Sequence, residues 1–395
     1  MRRNYLFMSI LFMGLVMAST SCSSDDDNKG NETELTEEEA RNLDYNEKNA
    51  QAWGNYAKNV ALLLQTDAQT LNGKWANGYG EAFKKHDGKT TEYTSAEACI
   101  EQIIDGCIDI ANEVGTAKIG EPYDLYLSGK TTQALYAVES WYSWHSRDDY
   151  KNNILSVANS LAGKNIGYSA NPAKIAISSA DKNSVIAVCA ANNNLSKVAE
   201  KVWENVGAAW NAIDAIPQPF RNNINSKEAS DAMDACADLV ESLETLKGLI
   251  EAEESIEWQP VVDQFVNNVA LPTYAELAKA NSSLYSAVSK LQANPSNANF
   301  EAACNAWLEA RKPWETSEAF LFGPVAELGL DPNMDSWPLD QVGIANLMKS
   351  QNWKEFEWAG DYDEEDEGIE AAQSLRGFHT LEFLLFKDGK PRTIK

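Results

Sequence analysis

The chain has 395 residues, 44% hydrophobic and 23% charged, with 59 acidic against 33 basic side chains and a formal charge of −26. Such acidity excludes a nucleic-acid partner, whose phosphates need a basic face, and electrostatic docking on anionic lipid. It is compatible with cationic ligands, although most of the charge is expected to be solvated surface.

The first elements are export signals. Met1-Arg2-Arg3 precedes a mostly apolar run from Tyr5 to Ala18, closed by Ser19-Thr20-Ser21-Cys22. This is a secretory signal with basic, apolar and small-residue parts, and its apolar run is short for a membrane span. A Cys directly after small residues resembles a bacterial lipoprotein signal, which implies cleavage before Cys22 and lipid on its thiol. Ser19 departs from the larger aliphatic residue usual there. Ser23-Ser24-Asp25-Asp26-Asp27 resembles the acidic signal that sends Bacteroidetes lipoproteins to the cell surface. The expected location is the outer membrane, lipid-anchored and surface-exposed. Residues 1–21 would be removed, with Arg2 and Arg3, taking the mature charge to −28, and 22–44 would form a flexible acidic tether. The plain alternative is an ordinary signal peptide with a disordered start.

From residue 45 helical periodicity dominates. The pattern predicts helices over Asn46–Leu71, Ala96–Val114, Gln133–Tyr142, Tyr150–Leu161, Leu195–Ile213, Ser226–Ile256, Val261–Leu291, Asn299–Phe322 and Ile369–Phe386. Gly and Pro punctuate at Gly120-Glu121-Pro122, Pro217-Gln218-Pro219, Asn294-Pro295 and Gly323-Pro324. Period-two patterning is confined to Lys174–Ile177 and Ser184–Val188, where a short hairpin is conceivable. The expected class is all-α, with two packed helical-bundle domains, 45–256 and 257–395, related by pseudo-symmetry.

Cys99, Cys107, Cys189, Cys236 and Cys304 follow Cys22. An odd number leaves at least one thiol free in a monomer, and eight residues of helix separate Cys99 from Cys107 by about 12 Å, too far for a disulfide. They read as small buried residues in Ala-rich helices. The run from Asp361 to Glu367 reads as an exposed loop rather than a cation site, since it lacks EF-hand spacing. His86 reads as loop surface, and His145, near Asp148 and Asp149, as a weak second ligand pair.

The remaining histidine, His379, lies in Gly377-Phe378-His379-Thr380-Leu381-Glu382, followed by Phe383-Leu384-Leu385-Phe386. On a helix His379 and Glu382 share a face. A helix apolar nearly all round belongs in an interior, where an ionised Glu must be paired, hydrogen-bonded or bound to a metal. Four other segments accompany it: Ala310-Arg311-Lys312-Pro313-Trp314-Glu315-Thr316-Ser317-Glu318, with Phe322-Gly323-Pro324 beyond; Asp331-Pro332-Asn333-Met334-Asp335-Ser336-Trp337-Pro338; Glu139-Ser140-Trp141-Tyr142-Ser143, running to Ser146 and Asp149; and Ile213-Asp214-Ala215-Ile216-Pro217, ending at Phe220.

Together these resemble the imelysin family, also called peptidase M75, typified by a Gly-x-His-x-x-Glu motif and associated with bacterial iron uptake. The resemblance covers nearly everything from Asn46 onward. The segment order differs: residues 257–395 resemble the family's first half and 45–256 its second, which reads as a circular permutation. The positions near Asp44 and Lys395 should then be close in space, with the usual termini joined near Glu251–Glu257. The resemblance implies binding/motif residues Gly377, His379, Glu382, Arg311, Trp314, Glu315, Ser317 and Glu318 in one half, facing Glu139, Ser140, Ser146 and Asp149 from the other.

His379 and Glu382 can offer two ligands to one metal. His-x-x-Glu is neither the zinc-peptidase His-Glu-x-x-His nor the repeated Glu-x-x-His of di-iron bundles, so further ligands must come from elsewhere. Glu318 is the first candidate, then Glu315 and Asp149. The competing reading is a satisfied polar network with Arg311 or Ser317 as partner. Ser140, Ser143, Ser146 and Ser317 lie in no nucleophile elbow. Trp141, Trp144, Trp314, Trp337 and Tyr150 read as core more readily than as a pocket lining. The function favoured is binding in iron or haem uptake, beside outer-membrane iron-uptake components, with iron, another divalent metal or haem as cofactor. A metallopeptidase with a metal-bound water and Glu318 or Glu382 as base is the first alternative. A non-catalytic partner-binding module is the second.

Overall fold

The computed structural model describes residues 35–253, 255–358 and 360–394, so the signal peptide and Cys22 lie outside the described residues. The chain is all-α. Among the described residues the sole strand pairing is an antiparallel hairpin of Phe386–Lys387 with Lys390–Pro391. None of the described helices is long and apolar enough to cross a membrane.

The long helices pack as two bundles. One holds Ala50–Lys74, Leu271–Ala293, Asn297–Glu315 and Gly377–Leu385; the other holds Ala96–Glu113, Ser146–Ala162, Ser196–Ala215 and Lys227–Ile250. Helix 96–113 illustrates the local logic. Ser95 caps its N-terminus by accepting from the Ala98 amide, and Glu97 sits favourably in the first turn. Cys99, Ile100, Ile103, Ile104, Cys107 and Ile110 then recur at helical spacing and are all buried. All five described cysteines are free and buried.

The first bundle takes a helix from each end of the chain, so the boundary expected near residue 256 does not separate the bundles. Helix 50–74 packs on 271–293 and 377–385 rather than with the residues that follow it. Residues 257–395 alone supply an incomplete bundle, and Trp53, Tyr56, Val60, Leu64 and Leu71 bring the missing apolar face. Two buried hydrogen bonds pin it, from Trp53 Nε1 to the Leu384 carbonyl (2.9 Å) and from Tyr56 OH to the Leu375 carbonyl (2.8 Å). A buried ion pair joins Asp67 to Arg376.

Other expectations shift for local reasons. The tether expected up to residue 44 already carries a helix, Glu37–Arg41, closed by a Thr36/Glu39 capping box and packed on Gln341–Ser350. Asp44 is then held by Arg392 (2.6 Å) and Lys387 (2.8 Å), so the start of the folded chain lies against its last residues. The conceivable hairpin at 174–188 is absent: Pro172–Lys174 and Ile177–Ser179 are short 3-10 turns, and Ser184 caps the helix Val185–Ala191. Gly120-Glu121-Pro122 does not break the chain, because Pro122 occupies the first turn of Glu121–Leu127, where a missing N–H costs nothing. The helix expected over 133–142 stops at Ala137, and 138–145 become an irregular loop with Ser140 (φ 49°) and Trp144 (φ 61°) left-handed. The helix expected over 369–386 breaks before Gly377.

Candidate functional site

The site lies where the bundles meet. Every residue of helix 377–385 is buried. Gly377 begins it at φ 93°, and a Cβ there would lie 2.7 Å from the Met334 carbonyl oxygen, so only glycine lets the His helix press against Leu330–Asp335. His379 is wholly buried, with Nδ1 3.1 Å from Glu382 Oε2 and Nε2 3.2 Å from Asp335 Oδ1. The Trp337 ring meets its imidazole edge-on, centroids 4.9 Å apart. The other oxygen of Glu382 accepts from the Ser143 backbone amide (2.7 Å), which belongs to the irregular loop of the opposite half. The left-handed Ser140 lets that loop turn its amide inward.

Arg311 is the cationic centre. It is fully buried, pairs with Glu315 and Asp335, and reaches Asp149 at 3.4 Å. Trp314 Nε1 donates to the second Asp335 oxygen (2.7 Å), Asn153 Nδ2 to Glu315 (2.5 Å), and Ser140 Oγ to Asp149 (2.5 Å). Asp335 has the lowered carboxyl: burial pushes it up, but Arg311 and His379 outweigh burial. Burial pushes Glu315 well above its ordinary range against the pull of Arg311. It does the same to Glu318, opposed by Lys118. Asp331 is pushed up to about 7 by burial and by Asp335 and Glu113.

The structure therefore gathers the expected residues differently. His379, Glu382 and Glu318 do not converge, because the two imidazole nitrogens face Glu382 and Asp335 on opposite sides of the ring. The convergent donors are Glu315, Glu318 and Asp335, each offering an oxygen within 4.8 Å of the others. Ser317 Oγ bonds the Trp314 carbonyl (2.7 Å) and Ser146 Oγ the Glu139 carbonyl (2.6 Å), so both serines brace backbone. Glu139 pairs with Lys118 (3.1 Å).

Sequence reasoning missed Asp331, Asp335, Asn153 and Lys118 as site members. Asp331 and Asp335 stood in a quoted segment, and their i,i+4 spacing on an acidic turn was the available signal. Nothing in the spacing pointed to Lys118. His145 lies apart, 3.6 Å from Asp148 in a surface hollow shared with Lys151, Trp210 and Lys312.

This arrangement has relatives. A family model described as imelysin matches residues 26–246 and 270–395. The chain belongs to the imelysin family. A crystal structure of an imelysin peptidase from Bacteroides ovatus superposes with a TM-score of 0.84 at 49% identity, covering 90% of this imelysin and 100% of that chain. The Iron-regulated protein A of Synechococcus elongatus is 35% identical over 130 residues, 33% of this chain and 32% of the relative. This imelysin thus spans about a third of that curated relative's length.

The donor chemistry fits a hard cation. Three carboxyl groups converge where Glu113, Glu139, Asp149 and Asp331 add further acidic side chains, against the cations Lys118 and Arg311. Carboxylate oxygens suit hard ions, whereas thiolates and free imidazoles suit softer ones.

Proposed function

We propose that this imelysin binds a hard metal ion, iron in its native setting, at Glu315, Glu318 and Asp335, and serves iron acquisition from an outer-membrane anchor on Cys22. The carrying observation is the convergence of those three carboxylates, two buried and one half-buried, within 4.8 Å. Glu318 supports it further. It is nine-tenths buried, yet among the described residues it accepts no hydrogen bond and joins no ion pair. Burying such a carboxylate is costly unless something neutralises it.

In this reading His379 is a positioning residue. It holds Asp335 from behind while Glu382 and the Ser143 amide hold the ring, as an outer partner orients a metal ligand. The bound metal would supply charge neutralisation, and this chain's residues supply the cage.

We also read the chain order as a circular permutation. The contact of Asp44 with Arg392 and Lys387 supports it, as does the interruption of the family match at residues 247–269, where the usual termini would be joined.

Elemental analysis after iron loading and desalting tests the metal reading. Stoichiometric iron in the wild type, lost in Glu318→Ala and weakened in His379→Ala, is the expected result. Equal iron in wild type and Glu318→Ala would refute it. Peptide cleavage that disappears on chelation would replace it with the peptidase reading.

A further inference from the structure

Lys118 belongs to none of the five motif segments, yet its ammonium is buried beside the carboxylates. It sits on a π-helical turn, Val114–Gly120, that continues helix 96–113. Such turns insert one extra residue and recur at functional positions. The turn aims the side chain inward, and the Lys118 carbonyl is fixed by the Tyr150 hydroxyl (3.1 Å). The side chain is 5% exposed, with Nζ 3.1 Å from Glu139 and 3.4 Å from Glu113. Burial works against its charge, but Glu139, Glu113, Glu318 and Glu315 outweigh burial and keep it protonated. Lys118 thus lies in the field of all three convergent donors while bonded to none of them.

Building on the metal-binding reading, we propose that Lys118 is the resident cation of the site: its charge competes with an incoming ion and sets which ions bind. A monovalent ion offers the donors no more charge than Lys118 already supplies, and is repelled by it. A divalent or trivalent ion offers twice or three times as much from a shorter distance, and wins. The ammonium also keeps the metal-free cluster from being an uncompensated patch of buried negative charge.

The test is Mn2+ titration by calorimetry, with Na+ as competitor, on wild type, Lys118→Met and Lys118→Arg. Lys118→Met should bind Mn2+ about tenfold tighter or better, and acquire competition by Na+ that the wild type lacks. Its metal-free melting temperature should fall and be restored by saturating Mn2+. Lys118→Arg, which keeps the charge, should bind no tighter than wild type. A Lys118→Met affinity equal to or weaker than wild type would overturn the role of Lys118 and leave the metal reading intact. So would a Lys118→Arg protein that binds as tightly as Lys118→Met. Should Lys118→Met fail to fold, Lys118→Arg decides: about tenfold tighter binding by it overturns the proposal. A wild type that binds neither Mn2+ nor Fe2+ sinks the metal reading. If Lys118→Met then binds Mn2+, the competing charge of Lys118 is upheld, and if it does not, both fall.

Discussion

Replacing Arg311 by Met tests what it costs the docked bundles to leave the buried carboxylates without their cation. Arg311 is fully buried and neutralises Glu315, Asp335 and Asp149, the last from the opposite bundle. Methionine matches much of its stem but leaves those carboxylates without a cation. Removing one partner of a buried pair costs about 3–5 kcal/mol. Three carboxylates push the loss toward the top of that range, while Glu315, already held far above its ordinary value, relieves part by taking a proton. For a chain of this size the loss corresponds to a melting-temperature drop of roughly 4–6 °C near neutral pH. The sign with pH is a second check. Asp335 has a depressed carboxyl in the wild type, so its stabilisation is present above the unfolded value and is lost as pH falls through the folded one. Arg311→Met has already lost it, so the part of the deficit due to Asp335 should hold from pH 7.5 to pH 5 and narrow only as pH falls below about 4. Scanning calorimetry at several pH values reads both effects. A deficit under about 1 kcal/mol at neutral pH, or one that widens on acidification, would refute the argument.

Three further outcomes follow from the geometry. Gly377→Ala forces a side chain into a left-handed backbone and against the Met334 carbonyl, and should lower stability by at least about 1–3 kcal/mol in thermal unfolding; a neutral result would contradict the close approach. Asp331 keeps, up to about pH 7, a proton that the unfolded chain releases near pH 4. Its stabilising contribution is therefore full in acid and lost as pH rises through about 7. The metal-free wild type should lose melting temperature from pH 5.5 to pH 8 more steeply than Asp331→Asn, and parallel slopes would count against it. Joining residue 395 to residue 44 through a short linker, and opening the chain between 251 and 257, should give a folded protein with an unchanged circular-dichroism spectrum; an aggregated product would contradict the permuted reading.

Much of the fold was legible because helical periodicity and capping residues are local signals. Ser95, Ser226 and Ser296 each stand one position before an observed helix and accept from its first turn. What local pattern could not reveal is which bundle a helix joins. Helix 50–74 carries an ordinary apolar face, and only the unfilled side of helices 271–293 and 377–385 decides where it goes. The His379–Glu382 pair was legible for the same reason as the helices, being three residues apart on one element. Asp335, 44 positions before His379, becomes its neighbour only because Gly377 lets two elements touch. Lys118 was illegible because a π-helical turn rotates which way the following residues face by about 100°, and no spacing rule announces one.

The cross-bundle contacts explain why so many carboxylates can be buried together. Ser143 to Glu382, Asn153 to Glu315, Asp149 to Arg311, and the Ala319 amide to Ser156 (3.0 Å) each join an element of one bundle to the other. None of these satisfies its acceptor unless the bundles are docked, and docking is driven by the apolar residues around them, such as Phe320, Tyr150, Ile154 and Val157. The charge cluster therefore draws its stability from the packing rather than contributing to it. A ligand that neutralises the cluster stabilises the docked state by its binding free energy, about 2.7 kcal/mol at a hundredfold excess over its Kd.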